Sequence, residues 1–306
     1  MIRRTYLGLD IRGDELRAVA LRRQAKGSQI LGSRIVSLPE NTLIPSLREP
    51  NIQGMEAFVQ GVREVLSPIA GKEDRIAVAL PDNVGRIVLT SVDTAFKTKE
   101  EGREVLRWQF KGTLPFDQKE LWLDYQILQK NETGGQDVLV ALIHEKVLTQ
   151  YEDVLNGAGF SPAVIDFFSL HLYNYYRRRL DLGKDFVIVA IEGQSLVLQF
   201  FQDQTLSFHR NKSILPEPQS IFQEIIRCQV GCQKHHPGFR KAKIFLHCDW
   251  PEQEGLLDAL QAAFERDILS LDQQVQALIS EPSGLTNSST TNLAAATGAA
   301  ERMMLL

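Results

Sequence analysis

A pattern near the amino terminus recurs 180 residues later without a gap, which constrains the chain to two related lobes more strongly than any other feature. Leu7, Leu9, Ile11, Gly13, Leu16 and Val19 pair with Val187, Val189, Ile191, Gly193, Leu196 and Gln199, and only the last pair loses the apolar match. Apolar alternation broken by one glycine predicts a strand, a tight turn and a second strand in each copy. A third strand follows in both. In the first copy Lys26 and Gly27 form the turn between Leu16–Leu21 and Gln29–Val36; in the second, Gln202–Gln204 separate Leu196–Phe201 from Thr205–Arg210.

After the first meander, Met55, Phe58, Val59, Val62, Val65, Leu66 and Ile69 fall at helical spacing, and a strand is expected at Arg75–Leu80. Between the copies, about residues 82 to 159, the order is strand, helix, strand, strand, helix, with Val147, Leu148, Tyr151, Val154, Leu155 and Ala158 on one face of the last helix. Such an order packs as a small α+β unit inserted into the first lobe. Helix, strand, helix and strand are expected again between Pro218 and Leu271, and the tail from Thr286 passes through polar capping residues into an alanine-rich helix. The fold class is α/β. Residues 1–81 and 160–182 are expected as the first lobe, 82–159 as its insertion, 183–215 and 283–306 as the second lobe, and 216–282 as a further subdomain.

At 306 residues the chain suits two lobes, and 43% hydrophobic with 24% charged residues is ordinary globular composition. A formal charge of −4 gives no general attraction to nucleic acid or anionic lipid. Three cysteines make no disulfide framework, so a reducing cytoplasmic location is expected. The amino-terminal apolar run meets Asp10 too early for a signal peptide, and nowhere do about 18 uncharged apolar residues run together, so membrane association is expected only through a partner.

Duplicated meanders around one cleft resemble the actin-like, ribonuclease H-like duplicated architecture. Within it, G-L-D-I-R-G-D-E-L-R-A-V-A-L from Gly8 is similar to the opening of PilM-type pilus assembly proteins. R-W-Q-F-K-G-T-L-P-F-D-Q-K-E-L-W-L-D-Y-Q-I-L from Arg107 resembles their inserted subdomain, with Pro115, Phe116, Asp124 and Tyr125 at the matching places. V-L-N-G-A-G-F-S-P-A-V-I-D-F from Val154 and the H-P-G at His236 fit the same family.

The resemblance implies an ATP site whose working residues are altered. Asp10 keeps the first magnesium-shell carboxylate, but Arg12 stands where the family has glycine. In the second loop Ala190, Ile191 and Glu192 replace Asp-x-Gly, which removes one carboxylate and sets another against the phosphate position. The turn expected to receive adenine and ribose has His247-Cys248-Asp249-Trp250 in place of glycines. Together these argue against hydrolysis, which needs metal, positioned phosphates and an oriented water at once. If the register is one residue off, Gly13 and Gly193 do the glycine's work and ATP with magnesium remains the alternative cofactor. Otherwise no cofactor is expected, and Arg12 is expected to pair with Glu192 across the cleft.

The resemblance also implies a partner: a PilN-like inner-membrane protein, whose amino-terminal cytoplasmic segment would lie extended between the first lobe and its insertion near Leu114, Pro115, Phe116 and Tyr125. Packing within the insertion is the alternative for these four. An assembly motor ATPase is a further implied partner, and the cytoplasmic part of a type II secretion L-type protein is a competing reading of the same fold. Cys228, Cys232, His235, His236, His247 and Cys248 match no common zinc spacing, and Ile221, Ile225, Cys228 and Cys232 form one helical stripe, so no metal is expected. Arg177, Arg178 and Arg179 are expected on a solvated face. No nucleophile elbow or metalloprotease motif is present.

Overall fold

The computed structural model describes residues 4–25, 27–130, 134–250, 253–278 and 292–306. Lys26 of the expected first turn and the polar stretch 286–291 lie outside them.

The duplication is visible as hydrogen-bond register. Strands β1 (Thr5–Ile11), β2 (Glu15–Arg23) and β3 (Ser28–Ser37) form an antiparallel meander, as do β9 (Phe186–Glu192), β10 (Ser195–Gln202) and β11 (Thr205–Ser213). Leu7 pairs with Ala20 and Asp10 with Arg17; at the same offset Val187 pairs with Phe200 and Ala190 with Val197. Even the irregularity repeats. The outer pairing slips between Ala20 and Leu21 in one copy and between Phe200 and Phe201 in the other, a bulge that increases strand twist at equivalent places.

Parallel strands complete each sheet: β4 (Arg75–Leu80) and β8 (Ser161–Phe167) in the order β3-β2-β1-β4-β8, and β12 (Lys243–Cys248) and β13 (Ile268–Ser270) in the order β11-β10-β9-β12-β13. Residues buried on both faces of β1 and β9 require a helical layer on each side. On the outer faces, α1 (Met55–Ala70) and α3 (Glu145–Gly157) cover Leu7, Leu9 and Ile11, and α5 (Pro218–Gln233) and α6 (Glu254–Phe264) cover Val187, Val189 and Ile191. On the inner face of the second sheet, α4 (Phe168–Tyr176) and α7 (Leu271–Leu278) meet Phe186, Ile188 and Ala190.

The last helix, α8 (Ala294–Met303), corrects the expected division of the chain. Residues 283–306 are expected in the second lobe; α8 instead lies along β1, β2 and β4 of the first sheet and crosses α4. Its small residues let backbones approach: a Cβ at Gly8 would sit 1.9 Å from the Ala296 carbonyl oxygen, and one at Gly298 would sit 2.1 Å from that of His171. Ala299 and Met303 close over Ala77, while Ala296, Ala300 and Met304 close over Val19 and Leu21.

Between β4 and β8 the insertion folds as expected: β5 (Gly85–Val92), α2 (Lys99–Gln109), β6 (Leu121–Lys130), β7 (Gln136–His144) and α3, with an antiparallel sheet of order β5-β7-β6. Thr98 caps α2 by accepting the Glu101 N–H at 3.1 Å, and Glu101 accepts the Lys97 N–H at 2.8 Å, which together fix where the helix starts. The insertion has its own core of Leu106, Phe110, Leu121, Leu123, Val140 and Leu142.

Candidate functional site

The two hairpin turns, β1–β2 and β9–β10, face each other because their sheets share an inner layer. Odd-numbered residues of β1 go to the outer core, so even-numbered Asp10 points inward, where it is fully buried. Arg12 follows at the hairpin turn, which its own N–H closes on the Glu15 carbonyl at 2.9 Å. Its guanidinium folds back: Nε and Nη2 donate to Asp10 Oδ2 at 2.8 and 2.7 Å. The flat face of the guanidinium lies 4.1 Å from the centroid of Phe168, a cation–π contact at the start of α4. Nη1 meets the carboxylate of Glu192 from the second lobe.

Glu192 is held from its far side. Its Oε1 accepts from His247 Nε2 at 2.8 Å; a carboxylate only accepts, so that nitrogen carries the proton. His247 Nδ1 lies 2.8 Å from the Tyr176 hydroxyl, which donates to Asp272. The result is a continuous line of side chains, Asp10–Arg12–Glu192–His247–Tyr176–Asp272, drawn from both hairpins, β12, α4 and α7. Burial lowers the Arg12 guanidinium's pKa, and adjacent Asp10 acts to raise it again. Burial, and then Asp272, push the Tyr176 phenol well above its ordinary pKa.

The backbone of the second turn is engaged as well. Gly193 has φ 51°, a left-handed conformation that suits glycine, and its N–H donates to Asp249 Oδ1 at 3.0 Å and Oδ2 at 3.3 Å. Trp250 Nε1 donates to the Gly193 carbonyl at 3.0 Å. The expected adenine turn thus folds back onto the phosphate turn, and His247 is a buried residue of β12 rather than part of a loop. Gly13 is exposed, with open space where a Cβ would stand. Asp10, Arg12, Glu192 and His247 converge, while Ala190 lies under α4 in the inner core and Gly13 stays outside.

A second buried cluster, not foreseen from sequence, lies beside the first. Ser169 N–H donates to Asp82 Oδ2 at 3.0 Å, its hydroxyl donates to Asp82 Oδ1, and its Oγ is 3.3 Å from His209 Nε2. The hydroxyl proton goes to the carboxylate instead of the imidazole, and all three groups are shut from solvent, so this is a tie between lobes rather than an activated nucleophile.

The sequence matches the family described as type IV pilus assembly protein PilM over residues 8–237. The chain belongs to that family. Type IV pilus assembly is therefore its setting. No curated protein sequence matches the chain. Among solved structures, one from a PilM–PilN type IV pilus biogenesis complex is 17% identical with a TM-score of 0.81, covering 98% of both chains. A *Bacteroides thetaiotaomicron* protein of unknown function with an actin-like ATPase fold is 14% identical (TM-score 0.54, 91% and 96% covered). The cytoplasmic domain of EpsL, an inner-membrane component of the *Vibrio cholerae* type II secretion system, is 12% identical (TM-score 0.53, 91% and 96% covered). These likenesses establish the actin-like two-lobe fold.

In this PilM-family chain the residues expected to contact a partner turn mostly inward. Leu114, Phe116 and Tyr125 pack on the insertion's core, with Phe116 4.8 Å from the His144 ring and Tyr125 edge-on to Phe96 at 5.2 Å over Gly102. Pro115 alone is exposed. The turn after α2 helps close that core, the packing stated as the alternative for these residues. A groove between first lobe and insertion holds a cavity of about 190 Å³ between β6 and β8, lined by Trp122, Asp124, Ile143, Leu148, Ile165 and Phe167. Both strands are sheet edges, and Trp122 is 53% exposed.

Other side chains are structural. Cys228 and Cys232 face the core of the second lobe as their spacing predicted, and burial pushes the thiols of Cys228, Cys232 and Cys248 up to about 12. Arg179 departs from its expected solvated face: it grips buried Glu301 of α8 at 2.8 Å and covers Tyr175 at 3.9 Å. No helix among the described residues is long and apolar enough to cross a membrane.

Proposed function

We propose that this PilM-family chain is a non-catalytic scaffold of the pilus assembly platform, which binds the amino-terminal segment of a PilN-like inner-membrane protein and needs no nucleotide to do so. The observation that carries this reading is Arg12, whose guanidinium occupies the space between Asp10 and Glu192. A magnesium–nucleotide requires a free carboxylate for the metal shell and free backbone N–H groups for phosphate. Here Asp10 is engaged by a cation, Gly193 N–H by Asp249, and His247 by Glu192. These residues do not fit a magnesium–nucleotide.

The likeness to a PilM–PilN complex supports the choice of partner. A segment added to the β6 or β8 edge would gain main-chain hydrogen bonds and set apolar side chains against Trp122, Ile165 and Phe167. The test is a titration of a labelled PilN-like amino-terminal peptide with purified chain. Saturable binding that Trp122→Ala weakens supports the reading; binding unaffected by Trp122→Ala and by Ile165→Glu moves the site away from this groove.

A further inference from the structure

The groove beside Trp122 is bordered by two strand edges, and they are not equally open. Strand β6 is guarded from within the insertion. Its Leu121 and Leu123 turn toward Leu106 and Phe110 on the α2 side, so by alternation Asp124 points to the opposite face. Lys99 Nζ and Arg103 Nη2 of α2 nevertheless reach the Asp124 carboxylate, at 2.9 and 3.3 Å. With β7 paired along one side of β6, these two side chains pass round the other side and cover its free edge with charge.

Strand β8 is arranged differently. One side pairs with β4, and Pro162 near its start lacks the N–H that a strand paired on both sides would need. The Phe167 N–H goes to the Asp166 carboxylate at 2.8 Å rather than to a β4 carbonyl, which places it on the outer side. Two residues back, Ile165 therefore also turns its N–H and C=O outward, beside the cavity that it helps to line. The lining there is mostly apolar, with Leu80, Ile143, Leu148 and Phe167 as its larger members, and about 190 Å³ holds one leucine-sized side chain.

We propose that the bound segment joins β8, not β6, as a sixth strand of the first sheet, pairing with the N–H and C=O of Ile165 and placing one aliphatic side chain in the cavity beside Trp122. This rests on the reading that a PilN-like segment occupies the groove, and adds how it is held and what it must contain. Main-chain pairing supplies affinity without regard to sequence, while the cavity reads a single side chain. The segment is therefore an extended run with a leucine-sized residue at the anchor and no proline at the residue that donates to Ile165. Polar residues are tolerated on either side of the anchor, because alternation turns them away from the cavity. The α2 cations keep the same segment from pairing with β6.

The experiment is amide hydrogen exchange of the full chain, resolved to single amides by NMR, free and saturated with a PilN-like amino-terminal peptide. The Ile165 amide is expected to slow at least tenfold on saturation, with the edge amides of β6 unchanged. A series of peptides N-methylated at one residue each gives an independent readout. Removing the donor that meets the Ile165 carbonyl is expected to weaken binding about tenfold, and losses are expected at every second residue of the paired run. An alanine scan of the peptide is expected to find one dominant aliphatic position. Ile165→Pro, which removes an outward N–H that β4 does not use, is expected to weaken the parent peptide while keeping its melting temperature; if that variant does not fold, the exchange and peptide series still decide. Saturable binding with protection along β6 and none at Ile165, or N-methyl losses without the two-residue period, overturns the added strand and leaves the groove reading standing. Absence of saturable binding overturns the groove reading itself, and this inference with it.

Discussion

Arg12 and Glu192 meet across the cleft from opposite lobes, each gripped from behind by a partner of its own lobe, Asp10 and His247. The pair sits at equivalent turns of a duplicated motif and forms an internal strut between the lobes. Only 12% of the Arg12 side chain and 5% of the Glu192 side chain reach solvent.

Breaking this strut on one side is expected to be costly. Arg12→Ala leaves Asp10 and Glu192 buried without their cation, and loss of one partner from a buried pair costs about 3–5 kcal/mol. Glu192→Ala is expected to cost less, because Arg12 keeps Asp10. Urea unfolding of both single variants and of the double variant checks this, the double being less damaged than the sum of the singles.

The docking of α8 depends on absent side chains. Gly8→Ala is expected to destabilise by about 2–3 kcal/mol, since the new methyl meets backbone rather than a flexible side chain. Gly13→Ala, with open space around it, is the matched control and is expected to change stability by less than about 0.5 kcal/mol.

Much of this was legible in sequence. The offset of the repeat predicted the strand pairing residue by residue, because apolar alternation dictates which face of each strand is buried. Arg12 and Glu192 could be paired because they occupy equivalent turns. The remainder of the strut could not: Tyr176 and Asp272 lie on helices whose stripes say only that one side is buried, not which neighbours share it. An alanine-rich segment such as α8 has no polar face to declare its direction, so its move to the first sheet was invisible. Leu114 and Phe116 were ambiguous for a related reason, since an apolar turn beside a helix fits a groove lining and a core lid equally well.

Acid sensitivity should trace in part to His171. It is fully buried, and burial lowers its pKa, an effect that Asp166 opposes. As pH falls below the unfolded-state value of about 6.5, the unfolded imidazole takes up a proton that the folded one resists, so stability is fully retained above that value and declines from there toward the lower folded pKa. Asp166, whose own pKa burial raises, contributes with the opposite sign at lower pH. Unfolding free energies measured across this range should show a shallower decline in His171→Leu than in the parent.

The buried thiols offer a check on the packing of the second lobe. With Cys228, Cys232 and Cys248 buried and their thiols pushed up to about 12, the native chain is expected to resist an aromatic disulfide reagent at pH 8 and to react at all three sites once unfolded. Rapid labelling of the native chain would contradict that packing.

The most direct measurement is the affinity of a PilN-like amino-terminal peptide for the purified chain, with and without magnesium-ATP. The expected result is saturable binding of equal strength in both conditions, weakened about thirtyfold by Trp122→Ala. Binding that appears only with magnesium-ATP, or a melting temperature that climbs with nucleotide concentration in the absence of peptide, would contradict a scaffold whose cleft is closed by its own arginine.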